Sequence, residues 1–262
     1  MFPQPTQTIH FMRFFLTLSY KGTSYHGWQV QDNAPSVQGT LQEALSVLLG
    51  GKTDITGAGR TDTGVHASYY VAHFDTENQK PLQQADDFIY HLNAILPKDI
   101  AANSIQPVPD EAHARFSAAL REYKYYVLTE KDPFRIDTAY RYPLALDVCK
   151  MNEAAAALKE YTDFESFCKL GGDNKTTICH IKESVWIREG NELIYTISAD
   201  RFLRNMVRAV VGTLIDVGRG KTDLGGFRQI IETKDRGAAG TSAPAHGLFL
   251  TDVRYPEELF KG

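Results

Sequence analysis

Polar and apolar residues alternate through FFLTLSY, where Phe14, Leu16, Leu18 and Tyr20 fall on every second position. A period of two marks a half-buried strand. Ser36 then precedes Val37, Leu41, Ala44 and Leu48 at helical spacing, a hydroxyl cap ahead of an apolar stripe. Strand-like runs follow at 53–60 and 66–74. Pro81 suits the first turn of a second helix, with Leu82, Ala85, Ile89, Leu92 and Leu96 as its stripe, and a further strand fits 100–108.

The same order then recurs. REYKYYVL, 121–128, reads as a strand, and Asp147 can cap a helix that aligns Met151, Ala155 and Leu158. Strands fit 178–187 and 192–199. A long helix is expected over 202–217, with Leu203, Val207, Val210, Leu214 and Val217 on its apolar side. A short helix fits 222–232, and GLFLTDVRY, 247–255, makes the last strand.

Two βαββαβ units in series predict an α+β fold of two ferredoxin-like halves. Each half has an open sheet with an exposed edge, and joining the sheets edge to edge removes two such edges. The expected architecture is one mixed or antiparallel sheet with helices on one face and a central cleft. The organisation read from this is a polar tail over 1–11, an N-terminal half over 12–112 and a C-terminal half over 113–262.

Composition narrows the function classes. The chain has 262 residues, 43% of them hydrophobic, with 13 Tyr and 14 Phe, enough for a substantial core and spare rings on a binding surface. No apolar run approaches the ~20 residues that span a bilayer. The opening MFPQPTQTIHFMRFF has no basic head before an apolar stretch, so it is not read as a secretory signal. Cys149, Cys168 and Cys179 are odd in number and form no C-x-x-C pair, which speaks against a disulfide framework or a zinc site and for reduced thiols in the cytoplasm. The net charge of −4 weighs against a polyanionic partner unless the 28 Lys and Arg are gathered on one face.

Three segments carry candidate chemistry. In GAGRTDTGVHA, 57–67, Gly57, Gly59 and Gly64 bracket Arg60, Thr61 and Asp62. A lone Asp between glycines is most often an Asx turn, and neither phosphate-loop pattern is present. In REYKYYV, Arg121, Tyr123 and Tyr125 share one strand face; tyrosine stacks well on an exposed base, but strand aromatics usually just pack. In RFLRNMVRAVVG, Arg201, Arg204 and Arg208 would share a helical stripe, where unpaired like charges cost a few tenths of a kcal/mol. Protein carboxylate, phosphate or bulk solvent would each relieve them.

Taken together, these segments resemble the TruA family of tRNA pseudouridine synthases. The resemblance runs through LSYKGTSYHGWQVQ (18–31), SVQGTLQEAL (36–45), GAGRTDTGVHA, HARFSAALREYKY (113–125), ADRFLRNMVRAVVG (199–212) and APAHGLFL (243–250), in order, from about residue 13 onward. It implies an isomerase that converts uridine to pseudouridine in the anticodon stem-loop of tRNA, at tRNA positions 38, 39 and 40. The base is detached from C1′ through N1, rotated and rejoined through C5, with no cofactor and no metal. Asp62 matches the family's catalytic aspartate, whichever atom that carboxylate attacks. Arg208 matches the arginine that pairs with it, Tyr123 the tyrosine that stacks on the target base, and Leu248 an apolar residue covering the pocket. By the same resemblance Arg60 helps hold the target nucleotide out of its helix. The resemblance also implies a homodimer, and it assigns no role to Arg201 or Arg204.

Two other classes compete with this one. An RNA-binding module without catalysis would suit paired ferredoxin-like halves with surface tyrosines, but the RNP1 pattern is missing. A carboxylate hydrolase needs a second acid or base, and none lies near Asp62 in sequence.

Overall fold

The computed structural model describes residues 11–169 and 176–260. Residues 1–10, most of the expected tail, lie outside it. The described residues fold as an α+β structure built on a nine-stranded mixed sheet with six α-helices. β1 (Met12–Tyr20) is a central strand, paired on one side with β3 (His66–Thr76) and on the other with β4 (Ile100–Val108), both antiparallel. Phe14, Leu16, Leu18 and Tyr20 are buried as the alternation requires. Phe15 is buried too, because its ring packs on the other side against Tyr255, 5.0 Å between centroids.

The two chain halves share one strand order. In the first, β4 lies beside β1, β1 beside β3, and the short β2 (Ile55–Gly57) on the far edge of β3. In the second, β9 (Leu248–Arg254) lies beside β5 (Leu120–Leu128), β5 beside β8 (Glu192–Ala199), and β8 beside β7 (Ile181–Glu189). A two-residue strand β6 (Tyr140–Arg141), not foreseen from the pattern, pairs with β5. The halves join where β9 runs parallel to β3, His66 opposite Phe249 and Ala67 opposite Leu250. β2 pairs with that same edge of β3 further along, from Ala72 to Phe74. The loop between β2 and β3 therefore emerges where β3 passes from one partner strand to the other.

Two cores flank this junction. In one, Phe14 and Leu16 pack with Val37, Leu41 and Leu45 of α1 (Val37–Leu49) and with Phe88 and Leu92 of the helix before β4. In the other, Trp186, Tyr195 and Ile197 pack with Met151, Val210, Leu214 and Phe227 of the C-terminal helices. Ser36 caps α1, its Oγ accepting from the Gly39 amide at 3.1 Å, and Gly50 ends it in the left-handed region at φ +78°. Asp147 caps α4 (Val148–Ala157) and Asp223 caps α6 (Leu224–Glu232) in the same way.

The structure revises two helices. The one expected from Pro81 onward breaks into α2 (Lys80–Gln83) and α3 (Ala85–Ile95), because Gln84 leaves helical geometry at φ −142°. Leu82 consequently points outward, and the buried stripe of α3 is Phe88 and Leu92 with Leu96 at its end. The long helix expected from 202 begins only at Met206, as α5 (Met206–Gly218). Asn205 sits in the left-handed region at φ +64°, which an L residue cannot hold inside a right-handed helix. Arg201 and Arg204 thus lie in the preceding loop and share no helical stripe with Arg208.

Candidate active site

The β2–β3 loop is pinned on almost every side. At its start the Ala58 amide donates to the Val71 carbonyl at 2.8 Å. The Tyr70 hydroxyl donates to the Gly59 carbonyl. Thr61 is buried, its Oγ1 2.9 Å from the Tyr20 hydroxyl, and its carbonyl accepts from the Trp28 amide at 3.3 Å. The Gly64 amide donates to the Tyr25 carbonyl at 3.3 Å, and the Val65 amide closes a turn on the Asp62 carbonyl at 3.1 Å.

The three loop glycines serve different ends. A Cβ on Gly57 would stand 2.1 Å from the Tyr70 hydroxyl oxygen and 2.5 Å from the Trp28 ring, so only glycine fits. Gly64 is required by its backbone, at φ +77°. Gly59 meets no such obstacle: a Cβ there has nothing within 4 Å, and the space beyond it is the open cleft.

His66 closes the loop from below. It is fully buried; its Nδ1 accepts from the Gly22 amide at 2.9 Å and its Nε2 lies 3.2 Å from the His246 carbonyl oxygen. Those partners select the neutral ring that carries its proton on Nε2. Burial pushes its pKa down in the same direction.

Asp62 faces a cleft of about 690 Å³. Across it, Arg208 Nη1 lies 3.4 Å from Asp62 Oδ2. Arg208 is itself held by its Nε, which donates to the Ala243 carbonyl at 2.8 Å, while the Ala243 amide returns a bond to the Arg208 carbonyl at 2.9 Å. Tyr123 forms an aromatic wall with Phe202, edge to face at 5.2 Å. Burial, and the negative charge of Asp62 in addition, push the Tyr123 hydroxyl up to about 12. Leu248, at the start of β9, is buried in the cleft lining. Arg60 is exposed at the rim, its Nε donating to Gln29 Oε1 at 3.0 Å.

The five residues singled out in the sequence, Asp62, Tyr123, Arg208, Arg60 and Leu248, therefore line one cleft. Sequence reading missed the residues that hold them: Tyr20, Tyr70, His66 and Arg121. Each sits on a strand, where an alternating pattern announces burial but not the partner. Arg201 anchors a neighbouring turn, its Nη1 donating to the Thr176 carbonyl at 3.1 Å, and Arg204 is exposed at the rim.

Charge is segregated here. Among the described residues the cleft is lined by seven cations (Arg60, Arg115, Arg121, Lys169, Arg201, Arg204 and Arg208) against the single carboxylate of Asp62. A net charge of −4 thus conceals a strongly positive cleft suited to a polyanion. Among the described residues the lining holds no carboxylate besides Asp62. Among the described residues no group of three His, Cys, Asp or Glu is placed to hold a metal. No helix of the described residues is long and apolar enough to cross a membrane.

The chain resembles known proteins over most of its length. The sequence matches a family model described as tRNA pseudouridine synthase over residues 17–117 and 154–256, which takes in every residue lining the cleft except Arg121 and Tyr123. It is 54% identical to the tRNA pseudouridine synthase A of Parabacteroides distasonis over 248 residues, covering 95% of this chain and 98% of that protein. It is 53% identical to the protein of the same name from Bacteroides thetaiotaomicron, covering 95% and 92%, and 43% identical to that of Bacillus subtilis, covering 93% and 99%. The chain belongs to the tRNA pseudouridine synthase family.

Proposed function

We propose that this protein isomerises uridine to pseudouridine in the anticodon stem-loop of tRNA, at positions 38, 39 and 40, with Asp62 as the catalytic carboxylate. The observation that carries the reading is one carboxylate, paired at 3.4 Å with Arg208, in a cleft otherwise lined by seven cations. Phosphates neutralise such a rim and release counterions as they bind. The relatives' shared name supplies the reaction class.

The placement of these residues in one cleft supports the following roles. A target uridine must leave its stack, at a cost of a few kcal/mol, before its glycosidic bond is accessible. Arg60, exposed and reaching outward, holds the vacated position. Tyr123 stacks on the base and Leu248 covers it. Asp62 works ionised, and the Arg208 guanidinium opposes the desolvation that a filled cleft would impose on it. The base then leaves C1′ through N1 and returns through C5; N1 gains a proton and C5 loses one. Electrons and charge balance without a cofactor.

The wider reading includes two ferredoxin-like halves, 12–112 and 113–262, supported by their common strand order. It also includes a cytoplasmic homodimer, in which one anticodon arm would lie across two subunits.

The test is to incubate the protein with unmodified tRNA and map pseudouridine chemically. Products are expected in the anticodon arm with wild type. The Asp62→Asn variant, shown to be folded by circular dichroism, should bind tRNA and form none. Substantial turnover by that variant would remove Asp62 from its role, and no product with wild type would remove the whole reading.

A further inference from the structure

We propose that Arg121 is a positioning residue that assembles the cleft, tying the loop that carries Asp62 to the two basic segments facing it. The inference rests on the reading of Asp62 as the catalytic group. β5 places Arg121 one pleat before Tyr123, on the same face and in the cleft wall. Its Nη1 donates to the carbonyls of Asp200, at 2.8 Å, and Ala118, at 3.2 Å. Its Nη2 donates to the carbonyls of Ala58, at 3.0 Å, and Arg115.

These acceptors come from three separate stretches of chain. Ala58 opens the loop to Arg60 and Asp62. Arg115 and Ala118 belong to the basic segment HARFSA. Asp200 begins the loop that carries Arg201 and Arg204 toward α5. One planar group with donors on several edges can hold all three at fixed angles; a lysine, with a single nitrogen, cannot.

Charge argues for geometry over stability. Among the described residues no carboxylate pairs with Arg121, and burial lowers its pKa. Carbonyl dipoles satisfy its donors but do not neutralise it. A partly buried cation without a counter-charge is a costly way to fill space, whereas a fork of this reach fixes the relative placement of Asp62 and the rim.

Arg121→Lys separates these roles, because it keeps the charge and loses the fork. Three quantities are measured: the single-turnover rate at saturating tRNA, the tRNA Kd, and backbone hydrogen exchange without RNA. The rate should fall about tenfold to a hundredfold, as a small misplacement of a reacting group can. The tRNA Kd should stay within about threefold, since the positive charge in the cleft wall is retained. Exchange should accelerate in 58–64, 115–118 and 200–204 while the cores around β1 and β8 stay protected. A wild-type rate with unchanged exchange would overturn the proposal. So would faster exchange everywhere, β8 included, because the loss would then be general instability. If Asp62 itself proved dispensable, the exchange pattern would still report whether Arg121 ties the three segments.

Discussion

Arg208 Nη1 stands 3.4 Å from Asp62 Oδ2, although 146 residues separate them in sequence. Among the described residues Asp62 Oδ1 has no hydrogen bond, so one oxygen faces the cation and the other faces the cleft. Their side chains are 21% and 30% exposed, which leaves the pair open to solvent until a ligand fills the cleft.

That arrangement predicts how Arg208 variants rank in rate. Removing the cation leaves Asp62 without its partner across the cleft. Under single-turnover conditions with saturating tRNA, Arg208→Ala should be slower than wild type. Arg208→Lys should be faster than Arg208→Ala while lacking the fork that also engages Ala243. A wild-type rate in Arg208→Ala would show that the pair with Asp62 is not needed for turnover.

Tyr123 offers its ring to the cleft beside Phe202. Tyr123→Phe should keep most tRNA affinity, since the stacking face remains. Tyr123→Ala should lose ~1–3 kcal/mol of binding, as single stacked bases do. Filter-binding titrations at fixed salt decide between them; a phenylalanine variant as weak as alanine would shift the weight to the hydroxyl.

The loop glycines make a paired test. Gly57→Ala forces a methyl onto Tyr70 and Trp28 and should destabilise the fold by about 1–3 kcal/mol. Gly59→Ala meets no protein atom within 4 Å, so its stability should stay within about 0.5 kcal/mol of wild type. Any rate loss in Gly59→Ala would then come from the substrate side of the cleft. Denaturant titration of both variants checks the contrast, and equal destabilisation would refute it.

Acid sensitivity should be visible at His73. Burial, with the nearby His113 and Arg13, lowers its pKa to about 4, and its Nδ1 accepts from the Ala114 amide at 3.1 Å. The unfolded chain titrates near the ordinary value of 6.5. Between those values the unfolded state binds more protons, so stability should fall as pH drops from about 6.5 toward 4. His73→Gln removes the titrating group and should flatten that part of a stability-versus-pH curve. His66, also shifted down, keeps some slope in the variant. An unchanged slope would show that His73 does not contribute.

Much was legible in the chain itself. Strand-like runs located β1, β4, β5, β8 and β9, and Ser36 and Asp147 were readable as caps because their side chains satisfy amides within three residues. The glycine-bracketed Asp62 stood out for the same reason: its distinguishing features are local. Local signals failed where backbone geometry depends on distant partners. The α5 start moved to Met206 because Asn205 adopts φ +64°, its amide held by Ser242 at 2.6 Å. The second helix broke at Gln84 although its apolar spacing continued. Only the tertiary structure could place β9 between β3 and β5, so that Leu248, Tyr123, Arg208 and Asp62 meet in one cleft. It alone gathered seven cations around one cleft of an acidic protein, because strand pairing and charge segregation act between residues that the linear order keeps far apart.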